Sequence, residues 1–328
     1  MAIEQLEKTW IRFVMAKAFI TDYVTEHDIK KKILDVSTKF DKDAEILLVW
    51  HEIVNKKYID KFPNLKGIVK YGVGYDNIDI EYANKKNIVV CNVPDYGVNE
   101  VSDTAIAMIM DITRCISRYN FLSKSYKDTW EQNTLPLKRI SNLMLGVIGA
   151  GRIGSSVILK ANAIGFETCF YDPYKESGYD KVLKSKRFDS LENLLNHSDI
   201  ISIHTPLTDE TRGMVNKNFI QKMKHNSILV NTARGKIFKN LDDLYYPLKR
   251  NLLFGVALDV LPYEPPKTCK LIDAWKKNEK WIEGRLIINP HVAFYSYESY
   301  KEMLNKALME AKRILQGKKT LNPVGEIH

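Results

Sequence analysis

The chain has 328 residues, 45% hydrophobic and 27% charged, which suits two globular domains of ordinary composition. No apolar run reaches the roughly 18 residues of a membrane helix, and the first residues carry acids without an apolar core, so neither a membrane span nor a secretory signal is expected. The net charge of +9 is spread over lysines scattered beside acids, with no basic run of six, which predicts a solvated surface that attracts small anions and no nucleic-acid partner.

Residues 12–20 predict a first strand and 26–34 a charged helix. Residues 45–50 form a run of aliphatics typical of a buried strand, followed by a short helix around 56–60 that Pro63 closes. Residues 65–70 and 88–92 predict two more strands, the second ended by Pro94. Residues 99–117 are apolar on nearly every side, which predicts a helix buried all round, between domains or in a subunit contact. From 119 to 142 the chain is polar and reads as a connection. Further strands are predicted at 143–148, 168–171, 199–204, 227–231, 254–259 and 286–289, with helices around 191–196 and 217–223 between them. Residues 297–316 form an amphipathic helix ended by Gly317. Strands alternating with helices favour parallel sheets covered on both faces.

One stretch organises the rest. The strand ending at Ile148 runs into Gly149-Ala150-Gly151-Arg152-Ile153-Gly154, a Gly-x-Gly-x-x-Gly turn that opens a helix. The first glycine permits the tight turn, the second lets backbone approach a pyrophosphate, and the third lets helix pack on strand. Backbone N–H groups of the helix N-terminus, at Arg152 and Ile153, face the phosphates. Asp172 ends the next strand, at about the ~20-residue distance expected of the acid that binds the adenosine ribose. A carboxylate there repels a 2′-phosphate, so NAD is the predicted cofactor rather than NADP. Lys175 softens that preference without reversing it.

In an open parallel sheet, ligands bind beyond the carboxyl ends of the strands. Those ends carry His204-Thr205-Pro206, Asn231-Thr232-Ala233-Arg234-Gly235, Asp259 with Glu264-Pro265, and Asn289-Pro290-His291. Reduction of a 2-keto acid needs a cation for the carboxylate and keto oxygen, a proton donor, and a partner that keeps the donor charged. Arg234, His291 and Glu264 suit those roles in that order. A carboxylate beside the imidazole is expected to raise its pKa by roughly 1–3 units. His204 reads as structural, with Thr205 and Pro206 lining the adenine side. His51 and His197 carry no such context. Cys91, Cys115, Cys169 and Cys269 are far apart without a Cys-x-x-Cys pair, so they predict reduced thiols of a cytoplasmic protein and no metal site.

With these motifs the chain resembles the D-isomer-specific 2-hydroxyacid dehydrogenases over essentially its whole length. The matching stretches are Tyr71-Gly72-Val73-Gly74-Tyr75-Asp76-Asn77-Ile78-Asp79, the glycine turn, Asn231 to Gly235, Leu258-Asp259-Val260 with Glu264-Pro265, and Pro290-His291. The resemblance implies catalytic roles for Arg234, Glu264 and His291, and a Val73-Gly74 loop whose backbone N–H groups take the substrate carboxylate together with Arg234 and His291. It implies NAD contacts from Thr104, Thr205, Pro206, Thr232, Ala233, Arg234 and Asp259, the last near the nicotinamide amide. The implied fold is α/β, two doubly wound parallel-sheet domains with a cleft between. A flavodoxin-like substrate domain takes 1–112 plus 299–328, and a Rossmann NAD-binding domain takes 113–298. A homodimer through the cofactor domain is also implied.

Three departures stand out. Lys236-Ile237-Phe238-Lys239-Asn240 replaces the Val-Asp-Glu common in relatives after the arginine. The charged segment 267–285, with Trp275 and Trp281, is longer than usual and is expected to form a loop able to overhang the cleft. Residues 290–296 look closest to the branch containing the C-terminal binding proteins, with Phe294 where a tryptophan often stands. Lys70, beside the carboxylate loop, suits a second negative charge on a substrate, though a lysine ending a strand is usually solvated. The expected function is reduction of a small 2-keto acid (glyoxylate, hydroxypyruvate or pyruvate-like) to its D-2-hydroxy acid. The alternative is an NAD(H)-sensing dimeric binding protein of the C-terminal binding protein type.

Overall fold

The computed structural model describes residues 17–22, 35–124 and 135–325. The chain forms two compact units, Met1–Gly97 with Ser296–His328 and Val98–Tyr295. The units therefore divide at 97/98 and 295/296, where the sequence reading divides at 112/113 and 298/299. The difference is the helix Val98–Arg114, whose Ala105, Met108, Ile109 and Ile112 join the core of the second unit.

The first unit is built on β1 (Lys17–Ile20), β2 (Asp35–Ser37), β3 (Ile46–Val49), β4 (Gly67–Lys70) and β5 (Val89–Cys91). All pair in parallel, in the order β2-β1-β3-β4-β5. That is the flavodoxin-like order. Every residue of β3 and β4 is buried, as expected of strands with both sheet faces covered. Phe19, Leu47, Ile68 and Val90 share one apolar cluster with Ile59, Phe62 and Ala83 of the connecting segments. The helix Tyr297–Leu315 belongs to this unit and buries Met303, Leu304, Ala307, Leu308 and Ala311. Ser296 and Ser299 cap it reciprocally, satisfying N–H groups that the first turn leaves without helical partners. Of the predicted strand 12–20 only 17–20 falls within the described residues, and the predicted helix 26–34 lies outside them.

The second unit is built on β6 (Met144–Ile148), β7 (Glu167–Tyr171), β8 (Lys186–Arg187), β9 (Ile200–Ile203), β10 (Ser227–Asn231), β11 (Leu253–Leu258) and β12 (Leu286–Ile288). These too are all parallel, in the order β12-β11-β10-β9-β6-β7-β8. The order reverses between β6 and β9, which is the switch point of a dinucleotide-binding sheet. Alternate side chains build two cores. Leu145, Val147, Val230 and Ala257 face the helices Val98–Arg114 and Arg152–Ile164. Ile201, Ile203, Leu229, Val256 and Leu258 face the opposite layer. No described helix is long and apolar enough to cross a membrane.

Three local expectations change. The helix at 99–117 spans Val98–Arg114 and stops where Cys115 takes a left-handed conformation (φ 54°), after which Ile116–Ser123 starts a new helix. It is buried on one face only, since Asp103 and Ala107 are exposed and Ile106 and Met110 are half-buried. The segment 267–285 is no open loop. Its helix Lys270–Lys276 buries Leu271, Ile272 and Ala274, and Ile282 joins the same core. The apolar residues spaced between its charges dock it. Finally, β2 and β8 are too short to carry a periodic signal. Of the connection 119–142, residues 125–134 lie outside the described residues.

Candidate active site

Gly149 turns the chain at φ 88°, and its N–H donates to the Tyr171 carbonyl at 2.9 Å, so the turn is clamped to the end of β7. A Cβ on Gly149 would lie 2.8 Å from Thr205 Cγ2, and one on Gly154 would lie 1.9 Å from the Gly149 carbonyl oxygen. Any side chain at Gly154 would push helix and strand apart. A Cβ on Gly151 would meet nothing within 4 Å. That open flank is where backbone approaches a phosphate group. Gly151 also N-caps the helix Arg152–Ile164, and no side chain caps it. The first-turn N–H groups, including those of Arg152 and Ile153, therefore suit an anion.

Asp172 is buried. Its Oδ2 accepts the Ala150 N–H at 2.9 Å and its Oδ1 the Tyr174 N–H at 3.0 Å. The carboxylate thus ties β7 to the glycine turn, and lone pairs remain for ribose hydroxyls. Across the switch point, Thr205 and Pro206 follow β9. His204 hydrogen-bonds Ser202 Oγ through Nε2 at 2.7 Å, while its Nδ1 is buried without a partner. Burial pushes His204 down to about 3, which keeps the ring neutral and structural. The hydroxyls of Thr205 and Thr232 are likewise buried without a partner. Buried hydroxyls left unpaired cost free energy, and these two can hydrogen-bond a polar ligand at the sheet edge. The open flank at Gly151, the uncapped helix, the acid at the end of β7 and these hydroxyls together fit a dinucleotide.

At the end of β10 the fully buried Asn231 holds the next turn. Its Oδ1 accepts the Ala233 N–H and its Nδ2 donates to the Arg234 carbonyl, both at 2.9 Å. Arg234 Nη1 donates to the Ala233 carbonyl at 2.8 Å. The guanidinium is thereby oriented before any substrate binds.

His291 Nδ1 hydrogen-bonds Glu264 Oε2 at 2.8 Å, and Glu264 Oε1 accepts the Leu261 N–H at 2.9 Å. Both side chains are partly exposed. With Nδ1 committed to the carboxylate, Nε2 is the nitrogen left to exchange a proton with a ligand. Burial pulls the Glu264 carboxyl upward, but His291, the Leu261 N–H and the charge of Arg234 together hold it below the ordinary carboxylate value. The positive charge of Arg234 thus helps to stabilise the anion that pairs with the imidazole.

A carboxyl depressed in the folded chain adds stability above its unfolded value, near pH 4.3, and loses it as pH falls through the folded value. Glu264→Gln is therefore expected to lower stability above about pH 6, where the ionised carboxylate contributes, and to change it little at low pH, so the acid side of the profile flattens. Urea unfolding across pH checks this.

One residue holds the histidine loop. The Asp259 carbonyl accepts the His291 N–H at 2.8 Å, Oδ1 accepts those of Val292 and Ala293 at 3.0 and 3.1 Å, and Oδ2 also accepts that of Ala293, at 3.0 Å. This grip fixes His291 in a left-handed conformation (φ 57°), which a non-glycine residue keeps only when its surroundings over-determine it. Burial raises the Asp259 carboxyl, against the lowering effect of those two N–H groups. Thr104, in the helix Val98–Arg114, meets the same loop through a hydrogen bond to the Ala293 carbonyl at 3.4 Å. Asp259 and Thr104, expected at the cofactor, both brace the loop that carries the imidazole. Sequence reasoning missed Asn231 as a brace, although it opens the Asn-Thr-Ala-Arg-Gly motif.

In the first unit, Val73 and Gly74 follow β4 and are half-buried. The Val73 carbonyl accepts from Asn92 Nδ2 at 2.7 Å, and the Gly72 carbonyl accepts the Val93 N–H at 3.1 Å. The turn is thus pinned to the end of β5. Lys70 is buried and donates to the Trp50 carbonyl, so it is not the solvated strand end that its position suggested. Among the described residues no His, Cys, Asp and Glu side chains cluster as a metal site would require.

The family model for the NAD-binding domain of the D-isomer specific 2-hydroxyacid dehydrogenases matches residues 106–293. The chain belongs to that family. Its second unit carries the dehydrogenase NAD-binding domain, and NAD is its cofactor. Hydroxypyruvate reductase of Blautia hydrogenotrophica is 31% identical over 281 residues, covering 84% of this chain and 83% of that protein. C-terminal-binding protein 1 of Caenorhabditis elegans is 30% identical over 316 residues. The match covers 93% of this chain, which spans 41% of that longer protein. A solved structure of D-lactate dehydrogenase from Aquifex aeolicus, complexed with NAD and lactic acid, is 29% identical with a TM-score of 0.79, covering 92% of this chain and 96% of that one.

Proposed function

We propose that the protein interconverts a small 2-keto acid and its D-2-hydroxy acid, with glyoxylate, hydroxypyruvate or pyruvate-sized substrates. The observation that carries this reading is the His291–Glu264 hydrogen bond at 2.8 Å, with Arg234 close enough to help keep Glu264 ionised. NAD, when bound, supplies or takes the hydride at C2 of the substrate. The glycine turn and Arg152–Ile153 N–H groups would hold its pyrophosphate, Asp172 its adenosine ribose, and Thr205, Pro206, Thr232 and Ala233 its remaining flanks. Arg234 binds the substrate carboxylate and keto oxygen, lowering the cost of negative charge that builds on that oxygen. His291 Nε2 gives its proton to the oxygen during reduction and takes it back during oxidation. Glu264 stabilises the imidazolium form.

The test is NADH oxidation with a panel of 2-keto acids. Turnover on at least one small acid is the expected result. The second reading, an NAD(H)-sensing binding protein, rests on the match to C-terminal-binding protein 1 and predicts tight NADH binding without turnover on any acid. A homodimer is part of the proposal. It is supported by the half-exposed Ile106 and Met110 on the outer face of the long helix, and sedimentation would show it. A cytoplasmic location is supported by four free cysteines.

Asp172 should set the choice of dinucleotide. Asp172→Ala is expected to lower the NADH-to-NADPH ratio of kcat/KM by about 10- to 100-fold, since one unfavourable charge contact is worth roughly 1.4–3 kcal/mol. An unchanged ratio would remove Asp172 from the ribose site.

A further inference from the structure

The second unit carries a basic groove of about 490 Å³, lined by Arg212, Lys236, Phe238, Lys239, Pro262 and Tyr263. Its position follows from backbone pairing. Val215 and Phe238 form a parallel bridge, the Gly213 N–H donates to the Lys236 carbonyl at 3.0 Å, and the Lys239 N–H donates to the Val215 carbonyl at 2.9 Å. The pairing sets Arg212 beside the two lysines. Gly235 then closes against a third strand of chain: a Cβ there would lie 1.9 Å from the Leu261 carbonyl carbon. That contact brings Tyr263 to the rim, 55% exposed, with Lys267 Nζ 3.8 Å from its ring centroid.

No acid lines this groove, and among the described residues Arg212, Lys236 and Lys239 have no carboxylate partner. The nearest acids along the chain are otherwise engaged or turned outward. Glu210 accepts the Tyr174 hydroxyl at 2.5 Å, Glu264 holds His291, and Asp209 is exposed. Elsewhere on this lysine-rich chain, cations such as Lys138, Lys160, Lys222 and Lys224 do have acidic partners. Three unpaired cations held together repel one another, and a counter-anion relieves that repulsion. A monocarboxylate neutralises only one of them. A polyphosphate offers several charged oxygens, matching the arginine fork and the two lysine point charges.

We propose that this groove is an anion site for a polyphosphate group, separate from the dinucleotide site and supplied by a nucleotide or by inorganic polyphosphate. Its volume suits either, within the ~300–1,000 Å³ range of small-ligand sites. A ligand spanning it touches the turns that carry Arg234 and Glu264, because Lys236 and Tyr263 stand on those turns.

The test uses the full chain saturated with NADH, so that the dinucleotide site is filled, titrated calorimetrically with tripolyphosphate, ATP and malonate. Tripolyphosphate or ATP should bind, with malonate at least about tenfold weaker. The double variant Lys236→Ser with Lys239→Asp should weaken that binding by at least about tenfold while NADH affinity stays within about twofold. Arg212→Gln, a single exposed change, should weaken it by about three- to tenfold and guards against a folding defect in the double variant. Equal binding of ATP and tripolyphosphate assigns the contacts to phosphate alone. Tighter ATP binding that Tyr263→Ala abolishes assigns a stacked base as well. The proposal is overturned if neither polyphosphate binds at millimolar concentration, if malonate binds as tightly, or if the variants leave binding unchanged.

Discussion

His291→Ala is expected to lower kcat for 2-keto acid reduction by about 10²–10⁴-fold, the usual worth of a positioned general acid. NADH binding should survive, because none of the residues placed around the dinucleotide depends on the imidazole. The substituted loop should also stay folded. Asp259 grips the backbone N–H groups at 291, 292 and 293, and alanine keeps all three. Alanine gives up only the tolerance that His has for the left-handed region. Stopped-flow NADH fluorescence and steady-state turnover separate the two effects. Lost NADH binding in the variant would mean that the histidine holds the loop rather than moving the proton.

Arg234→Ala is expected to reduce kcat/KM by about 10²–10⁴-fold, as two charge-assisted hydrogen bonds at roughly 1.5–3 kcal/mol each would be lost. The loss should appear in both KM and kcat. The guanidinium meets the carboxylate in the bound state and the developing alkoxide in the transition state. Arg234→Lys should recover only part of it, because an ammonium cannot make the planar two-point contact. Asn231 bears on this result. It braces the backbone at Ala233 and Arg234 through its own side chain, so the turn persists in the variant and the measured loss belongs to the guanidinium. Kinetics that do not change on Arg234→Ala would take the arginine out of the site.

The architecture was legible because its signals are long and repeated. Strands β3, β4, β6, β9, β10 and β11 are mostly apolar runs, and the glycine turn with Asp172 marks the switch point between β6 and β9 from local chemistry alone. Gly149, Gly151 and Gly154 each do what their positions require: a positive φ, an open flank, a close helix-to-strand contact. The charged segment 267–285 misled because composition dominates the eye there. Leu271, Ile272, Ala274 and Ile282 are few, yet enough to dock it. The helix Val98–Arg114 misled in the opposite sense. Its apolar residues exceed what one buried face needs, and a periodic count cannot show where Cys115 reverses φ.

At the candidate site, the functional groups were legible and their supports were not. Arg234, Glu264 and His291 announce themselves as charged or titratable side chains just past strand ends. Asn231 braces its own turn two and three residues on, whereas Asp259 and Thr104 act through backbone groups 33 and 189 residues away, pairings that leave no trace in local sequence. Lys70 is a similar case. Its burial depends on Trp50, twenty residues earlier, whose carbonyl it reaches across the sheet.

The claim on which the rest depends is that the imidazole of His291 and the carboxylate of Glu264 act as one proton-handling unit. A double-mutant cycle measures this directly: single-turnover NADH oxidation on one accepted 2-keto acid, for wild type, Glu264→Gln, His291→Ala and the double variant. The double variant is expected to be no slower than His291→Ala, within about threefold, because the carboxylate has nothing to do without the imidazole. Fully additive losses, or a Glu264→Gln enzyme as fast as wild type, would contradict it.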